Sequence, residues 1–202
     1  MNSPQGTPTP SEDGAAAERA RLRRVYGGYA RDPRYKRLWA DGPAHRFMLD
    51  RKWGMIAQGV KRAGLIPEAT RVLDLGSGDR GDAARFGELG VPRSGIVAFD
   101  LIPAYARRML ETNPSICAVT GDAASLPFTD RSFGIVYQST MFSSLLDIDV
   151  RRAVLGEIQL LSRATVYHEG SKITKITKKN LDKNGLRALR VSSNLRERTS
   201  MS

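Results

Sequence analysis

The chain has 202 residues, 41% of them hydrophobic, and a net charge of +11. That length fits one domain with appendages, and that apolar content fits a globular core. No apolar run approaches the roughly 18 residues of a membrane span, and the polar start, Met1 to Gly6, has neither the basic nor the apolar part of a secretory signal. The single cysteine, Cys117, excludes an intramolecular disulfide, and with His45 and His168 far apart a Cys/His metal cluster is not expected. A reducing, cytoplasmic setting fits. The charge is uneven: from Arg163 onward there are ten Lys or Arg and three Asp or Glu, a net of +7, which leaves +4 for the first 162 residues. Such a tail attracts polyanions without sequence preference. No aromatic-basic module accompanies it, so nucleic-acid recognition is not expected.

Residues 1–14 are polar and rich in Ser, Pro and Gly, the composition of a disordered leader. Residues 15–66 predict two helices. The first runs from Ala15 to Tyr26, with Gly27-Gly28 as its interruption and Asp32-Pro33 as a turn. The second runs from about Ala44 to Ala63, with Phe47, Met48, Ile56 and Val60 at mostly helical spacing. Residues 67–162 then alternate. A strand at Thr70–Leu75 leads to a helix at Asp82–Leu89, and a strand at Gly95–Asp100 to a helix at Pro103–Thr112. A short strand at Ile116–Thr120, a long turn at Gly121–Phe128, a strand at Ser132–Gln138 and a helix at Asp147–Leu161 complete the series. Alternation of this kind implies a parallel sheet with right-handed crossovers, a three-layer Rossmann-like α/β/α fold. In residues 163–202 the pattern lapses. Five of the eight lysines fall between Lys172 and Lys183. Ile173 to Lys178 alternates as a weak strand would, and the rest reads as a solvated tail.

Chemistry concentrates in Val72-Leu73-Asp74-Leu75-Gly76-Ser77-Gly78. An apolar strand carrying one acid stops at two glycines, where backbone N–H groups are open to a ligand because no Cβ blocks the approach. Gly76, Gly78 and Gly81 match G-x-G-x-x-G, with Asp100 about 20 residues on, which is the form of a dinucleotide fingerprint. Two details weigh against a nicotinamide cofactor. Two helices precede the motif, and Asp74 suits a cationic ligand better than a pyrophosphate.

The stretch from Val72 to Gly78 resembles the first motif of class I S-adenosylmethionine-dependent methyltransferases. Val97-Ala98-Phe99-Asp100-Leu101 resembles the acidic end of their second strand. Gly121-Asp122-Ala123-Ala124-Ser125-Leu126-Pro127-Phe128 resembles their G-D-A-x-x-L-P-F turn, and Ser132-Phe133-Gly134-Ile135-Val136 their S-F-D-x-V strand. The set covers Arg71 to Leu161 and is most similar to the methyltransferase type 11 group, whose members mostly methylate small molecules. Tyr26 to Met48 resembles the N-terminal helical lid of such enzymes. The resemblance implies S-adenosyl-L-methionine as cofactor and a small-molecule methyl acceptor as partner, with neither membrane nor nucleic acid. It also implies roles. Asp74, Gly76, Ser77 and Gly78 face the methionine part, with Asp74 on its ammonium. Asp100 accepts from the ribose hydroxyls. Asp122 and the Ala123 N–H meet the adenine edge, Leu101 and Leu126 its faces, and Gln138 borders the reacting methyl. Each acid has a structural alternative: Asp74 as a cap, Asp100 as a strand-end acid, Asp122 as a turn residue. Tyr26, Tyr29, Tyr35 and Trp39 either line a substrate pocket or pack. No catalytic base stands out.

The chain departs from the family at Arg80, where a third glycine is usual, and at Gly134, where an acid is common. After Leu161 the family's leucine-arginine-proline-glycine-glycine turn, fifth strand and two further strands find no match. The C-terminal strands are therefore expected to be missing, as in a truncated, frame-shifted or unusually ended copy. The alternative to an active enzyme is a catalytically degenerate cofactor-binding protein. A third reading, RNA binding, rests on the basic tail alone.

Overall fold

The computed structural model describes residues 11–34, 42–62, 67–79, 82–169 and 172–176. Helix α1, Glu12–Arg31, begins at Ser11, whose hydroxyl accepts the Gly14 N–H at 3.2 Å. Glu12 and Asp13 in its first turn and Arg31 in its last complement the helix dipole. The helix is longer than the sequence predicts. It starts ahead of Ala15 and runs unbroken through Gly27-Gly28 to its C-cap at Asp32. A mid-helix glycine costs only about 1 kcal/mol, and Gly27 is buried in the packed face of α1. Helix α2, Pro43–Arg62, follows.

Strand β1, Val72–Leu75, is buried along its whole length, as is β2, Ile96–Asp100. Between them Asp82–Leu89 winds as a 3-10 helix instead of the expected α-helix. Three residues per turn align positions i and i+3, so Ala83, Phe86 and Leu89 share the face packed on the sheet. Helix α3, Pro103–Thr112, has Pro at its first position, where the missing N–H is not needed. Strands β3, Cys117–Thr120, and β4, Phe133–Ser139, come next. A single turn, α4 (Met141–Ser144), and α5, Ile148–Leu161, complete the alternation. The Asp147 carboxylate caps α5, accepting the Asp149 and Val150 N–H groups at 2.8 and 3.0 Å.

The expectation that no fifth strand would follow is corrected. Ser162–Glu169 forms β5, parallel to β4 from Phe133↔Ser162 to Ser139↔His168, and Lys172–Ile176 forms β6, antiparallel to β5. Sheet order is β3-β2-β1-β4-β5-β6. The chain passes from α5 into β5 through Ser162, with no glycine turn, which is why the strand had no punctuation to announce it. Two strands thus follow α5 among the described residues, where the resemblance implies three.

Strand residues face two layers in alternation, except at Gly134-Ile135, whose N–H groups both donate to the Arg71 carbonyl. Leu73, Leu75, Val97, Phe99, Phe133 and Val136 pack with α1 and α5. Val72, Ile96, Ala98, Ile135 and Tyr137 pack with Trp53, Ile56 and Val60 of α2, with Phe86, and with Met109 of α3. Two glycines are fixed by close packing. A Cβ at Gly134 would lie 2.8 Å from Thr70 Cγ2, which explains why the acid common at that place is absent. A Cβ at Gly121 would lie 2.5 Å from Cζ of the buried Phe99 ring. Gly121→Ala is therefore expected to lower stability by about 1–3 kcal/mol. An unchanged urea midpoint would show that the Phe99 ring has room to move.

Candidate functional site

The sheet changes direction of travel at β1: β2 and β3 lie on one side, β4 and β5 on the other. Such a switch opens a crevice beyond the carboxyl ends of the strands. Here the crevice is a cleft of about 1080 Å³, the size of a small-molecule site. Its floor is the turn after β1. Gly76 and Ser77 donate their N–H groups to the Phe99 carbonyl at 2.9 and 3.2 Å, tying the turn to β2. Gly76 and Gly78 adopt φ of +70° and +61°, which favours glycine. A Cβ at Gly76 would meet Met141 at 3.0 Å, whereas one at Gly78 would meet nothing within 4 Å.

Asp100, at the end of β2, fastens this floor. One carboxylate oxygen accepts the Gly78 N–H at 2.9 Å and the other the Ile102 N–H at 2.8 Å. Burial raises its pKa, and the N–H groups of Ile102 and Gly78 oppose the rise. Asp74 is 2% exposed, lines the cleft, and has one oxygen, Oδ2, with no hydrogen-bond partner. It stands opposite Tyr137 in the β1–β4 register. Its pKa is pushed well up, first by burial and then by the charge of Asp82; Lys52 acts in the opposite direction. The Tyr137 phenol is also raised, by burial and by the Asp74 charge. A buried acid oxygen without a partner is costly, and Ser77 Oγ in the same turn is unpartnered too.

Helices α1 and α2 form the walls. Glu18, Arg19, Leu22, Tyr26 and Tyr29 come from α1, and Met48, Leu49, Arg51, Lys52 and Met55 from α2. Glu18 is buried, receives both Arg21 nitrogens at 2.8 Å, and accepts the Leu146 N–H at 2.6 Å. The Arg21 guanidinium foremost holds its pKa below the usual carboxylate value. The Tyr26 hydroxyl meets Ser144 Oγ at 2.5 Å, and the Tyr105 hydroxyl donates to the Tyr26 carbonyl at 3.0 Å. These bonds fix α1 across the cleft. Asp122 is held twice, by Arg19 Nη1 at 3.0 Å and by the Ala124 N–H at 2.9 Å.

Asp74, Gly76, Ser77, Gly78, Asp100, Leu101, Asp122 and Ala123 all line this one cleft, and so do Tyr26 and Tyr29. Gln138 is placed differently. It pairs with Leu75 in the register and so points to the sheet face opposite Asp74. Its Oε1 accepts the Met141 N–H at 3.0 Å, and it is buried away from the cleft lining. Ser139, Thr140 and Met141 border the cleft in its stead. Leu126 likewise packs in the core with Phe99. Tyr35 and Trp39 lie outside the described residues, as do the side chains of His45 and His168. Thr140, with φ of +64°, was invisible to sequence patterns; a non-glycine residue in that region is costly and clusters at functional sites. Lys52, Arg19 and Asp82 were also missed, because their partners lie far along the chain.

Residues 73–163 match a family described as a methyltransferase domain. No curated protein matches the chain. Among solved structures, the Haemonchus contortus phosphoethanolamine N-methyltransferase 1, in complex with phosphoethanolamine and S-adenosylhomocysteine, is similar with a TM-score of 0.56. Its identity is 19%, over 77% of this chain and 32% of that one. The PH0226 protein of Pyrococcus horikoshii OT3 gives a TM-score of 0.52 at 18% identity, over 74% of this chain and 65% of that one. The chain spans less than two thirds of the length of either protein, and at such identities the likeness is one of fold. No described helix is long and apolar enough to cross a membrane.

Proposed function

We propose, from the match of residues 73–163 to a methyltransferase domain, that the chain is an S-adenosylmethionine-dependent enzyme that transfers a methyl group to a small-molecule acceptor. The observation that carries the reading is Asp74, buried at the cleft floor with Oδ2 unpartnered. A primary ammonium, such as the one on the amino-acid end of S-adenosylmethionine, offers that oxygen the donor and the positive charge it lacks.

The other residues fit the same group. A Cβ at Gly78 would meet nothing within 4 Å, so the cleft has open space at that glycine. Each Asp100 oxygen already accepts one N–H, and a carboxylate oxygen has a second acceptor position for a ribose hydroxyl. Asp122, oriented by Arg19 and the Ala124 N–H, stands at the adenine end with Leu101 and Ala123. When bound, S-adenosylmethionine supplies a methyl made electrophilic by its sulfonium sulfur. The chain's part is to hold the two reactants in line and keep water out. Tyr26, Met48, Met55, Met141 and Leu145 give the walls an apolar surface, and Thr140 and Met141 close the end of β4. Positioning of this kind can supply much of a transfer rate. A cleft of this size suits a small acceptor better than a polymer.

Titration calorimetry with S-adenosylhomocysteine tests the reading. One saturable site is expected, with a raised melting temperature. At a hundredfold excess over Kd the stabilisation is about 2.7 kcal/mol. Folded protein that shows neither binding nor a shift would remove the assignment.

A further inference from the structure

The donor's amino-acid end carries a carboxylate as well as an ammonium, and Asp74 can serve only the ammonium. Three cations line the cleft among the described residues: Arg19, Arg51 and Lys52. Arg19 is committed at the other end, to Asp122 at 3.0 Å. Arg51 is exposed on α2. Lys52 is the least exposed of the three. Its side chain is 12% exposed, and its Nζ meets Asp82 Oδ2 at 2.5 Å. It lies 5.7 Å from the centre of the Trp53 ring. Trp53 is itself fixed in the core, edge-on to Phe86 at 5.1 Å, so the stem of Lys52 is rooted in a rigid part of α2.

Electrostatically, Lys52, Asp82 and Asp74 form one group: the charges of Asp82 and Lys52 both act on Asp74, in opposite directions. An ammonium has three N–H donors, and one is used by Asp82 in the described contacts. Two remain for an anion at the cleft. Asp74, with its unpartnered Oδ2, lines the same cleft, so one cavity holds an unsatisfied acceptor and a cation with donors to spare. That is the complement of a zwitterion.

We infer that Lys52 binds the carboxylate of the donor's amino-acid end, with Asp82 holding the ammonium of Lys52 in place and Asp74 taking the donor's ammonium. The inference rests on the cofactor reading above and assigns to α2, outside the matched residues 73–163, a direct part in holding the methyl donor. It makes the cleft selective for the intact amino acid. A thioether nucleoside without that end gains nothing from Lys52.

The test compares two ligands by titration calorimetry: S-adenosylhomocysteine, and 5′-methylthioadenosine, which lacks the amino-acid end. Lys52→Met is expected to weaken S-adenosylhomocysteine about ten- to a hundredfold, the worth of a charge-assisted hydrogen bond. 5′-Methylthioadenosine should bind the variant as it binds the wild type, which also shows that the cleft remains folded. Lys52→Arg should recover most of the loss, and Arg46→Met, at an exposed position of α2 outside the cleft lining, should leave both ligands unchanged. Equal weakening of both ligands in Lys52→Met would make Lys52 a packing residue and overturn the inference. So would unchanged S-adenosylhomocysteine affinity, or a selective loss in Arg51→Met in place of Lys52→Met. If the wild type binds 5′-methylthioadenosine and S-adenosylhomocysteine equally, the cofactor reading survives and the Lys52 assignment falls. If it binds neither, both fall.

Discussion

Asp74→Asn is expected to stabilise the ligand-free protein while weakening S-adenosylhomocysteine about tenfold or more. The two effects have one cause. Asp74 is buried, and its Oδ2 has no hydrogen-bond partner. Burying an uncompensated polar group costs about 1–3 kcal/mol in protein mutation data, and an unpaired charge costs more. The isosteric amide removes the charge and so relieves much of that cost. It also removes the charge that a bound ammonium needs. Thermal melting of the free protein and calorimetry with the ligand read the two signs separately. If stability and affinity fall together, Asp74 is a structural residue and its orphan oxygen has no ligand role.

The same group sets a pH dependence whose sign follows from its raised pKa. Below the usual carboxylate value Asp74 is protonated in folded and unfolded chains alike. As pH rises from there to the folded value, the folded protein keeps a proton that the unfolded chain has lost, so stability falls across that window. Asp100 is raised too and acts in the same direction. The difference between wild type and Asp74→Asn isolates the Asp74 part. Ligand binding runs the other way. The ammonium favours the ionised carboxylate, so affinity rises with pH through the folded pKa, and within the window binding releases protons. Calorimetry in buffers of unlike ionisation enthalpy measures that release.

What the sequence discloses here is what is written locally. Apolar runs ended by Gly or Pro place β1, β2 and α3 within a residue or two of their positions, because the signal and the structure share the same few residues. Asp74 interrupts such a run and Asp100 ends one, whereas Asp122 stood out through the resemblance of the turn from Gly121 to Phe128. The rest depends on contacts made across the chain. Strand β5 follows α5 without a turn, so only its pairing with β4 reveals it. Strand parity also acts beyond the local pattern: Tyr137 stands opposite Asp74, and Gln138, paired with Leu75, faces the other layer. Lys52 reaches Asp82 thirty residues away and Arg19 reaches Asp122 across 103. No spacing rule announces such pairs.

The Lys52–Asp82 contact depends on how α2 is docked, and Phe86 packs against Trp53 of that helix. Its ring is fully buried, 5.1 Å from Trp53 of α2 and 5.3 Å from Tyr137 of β4, with both pairs edge-on. Trp53 and Tyr137 are themselves 5.9 Å apart. The three rings join α2, the 3-10 helix and the sheet directly behind Asp74 and Lys52. Phe86→Ala is expected to cost about 3–5 kcal/mol, from lost burial plus the cavity left behind. Against a total of about 5–15 kcal/mol for a domain, that is a large share. Urea unfolding should show the midpoint falling steeply, and Phe86→Leu, which keeps more of the volume, should cost less. A second consequence separates this cluster from an ordinary core position. With Trp53 loosened, Lys52 loses its root, so the folded Phe86→Leu protein should bind S-adenosylhomocysteine more weakly while 5′-methylthioadenosine is less affected. A midpoint that hardly moves in Phe86→Ala would mean that the aromatic cluster is not what holds α2. The wall of the cleft would then be fastened through the contacts of Ile56 and Val60 with the sheet.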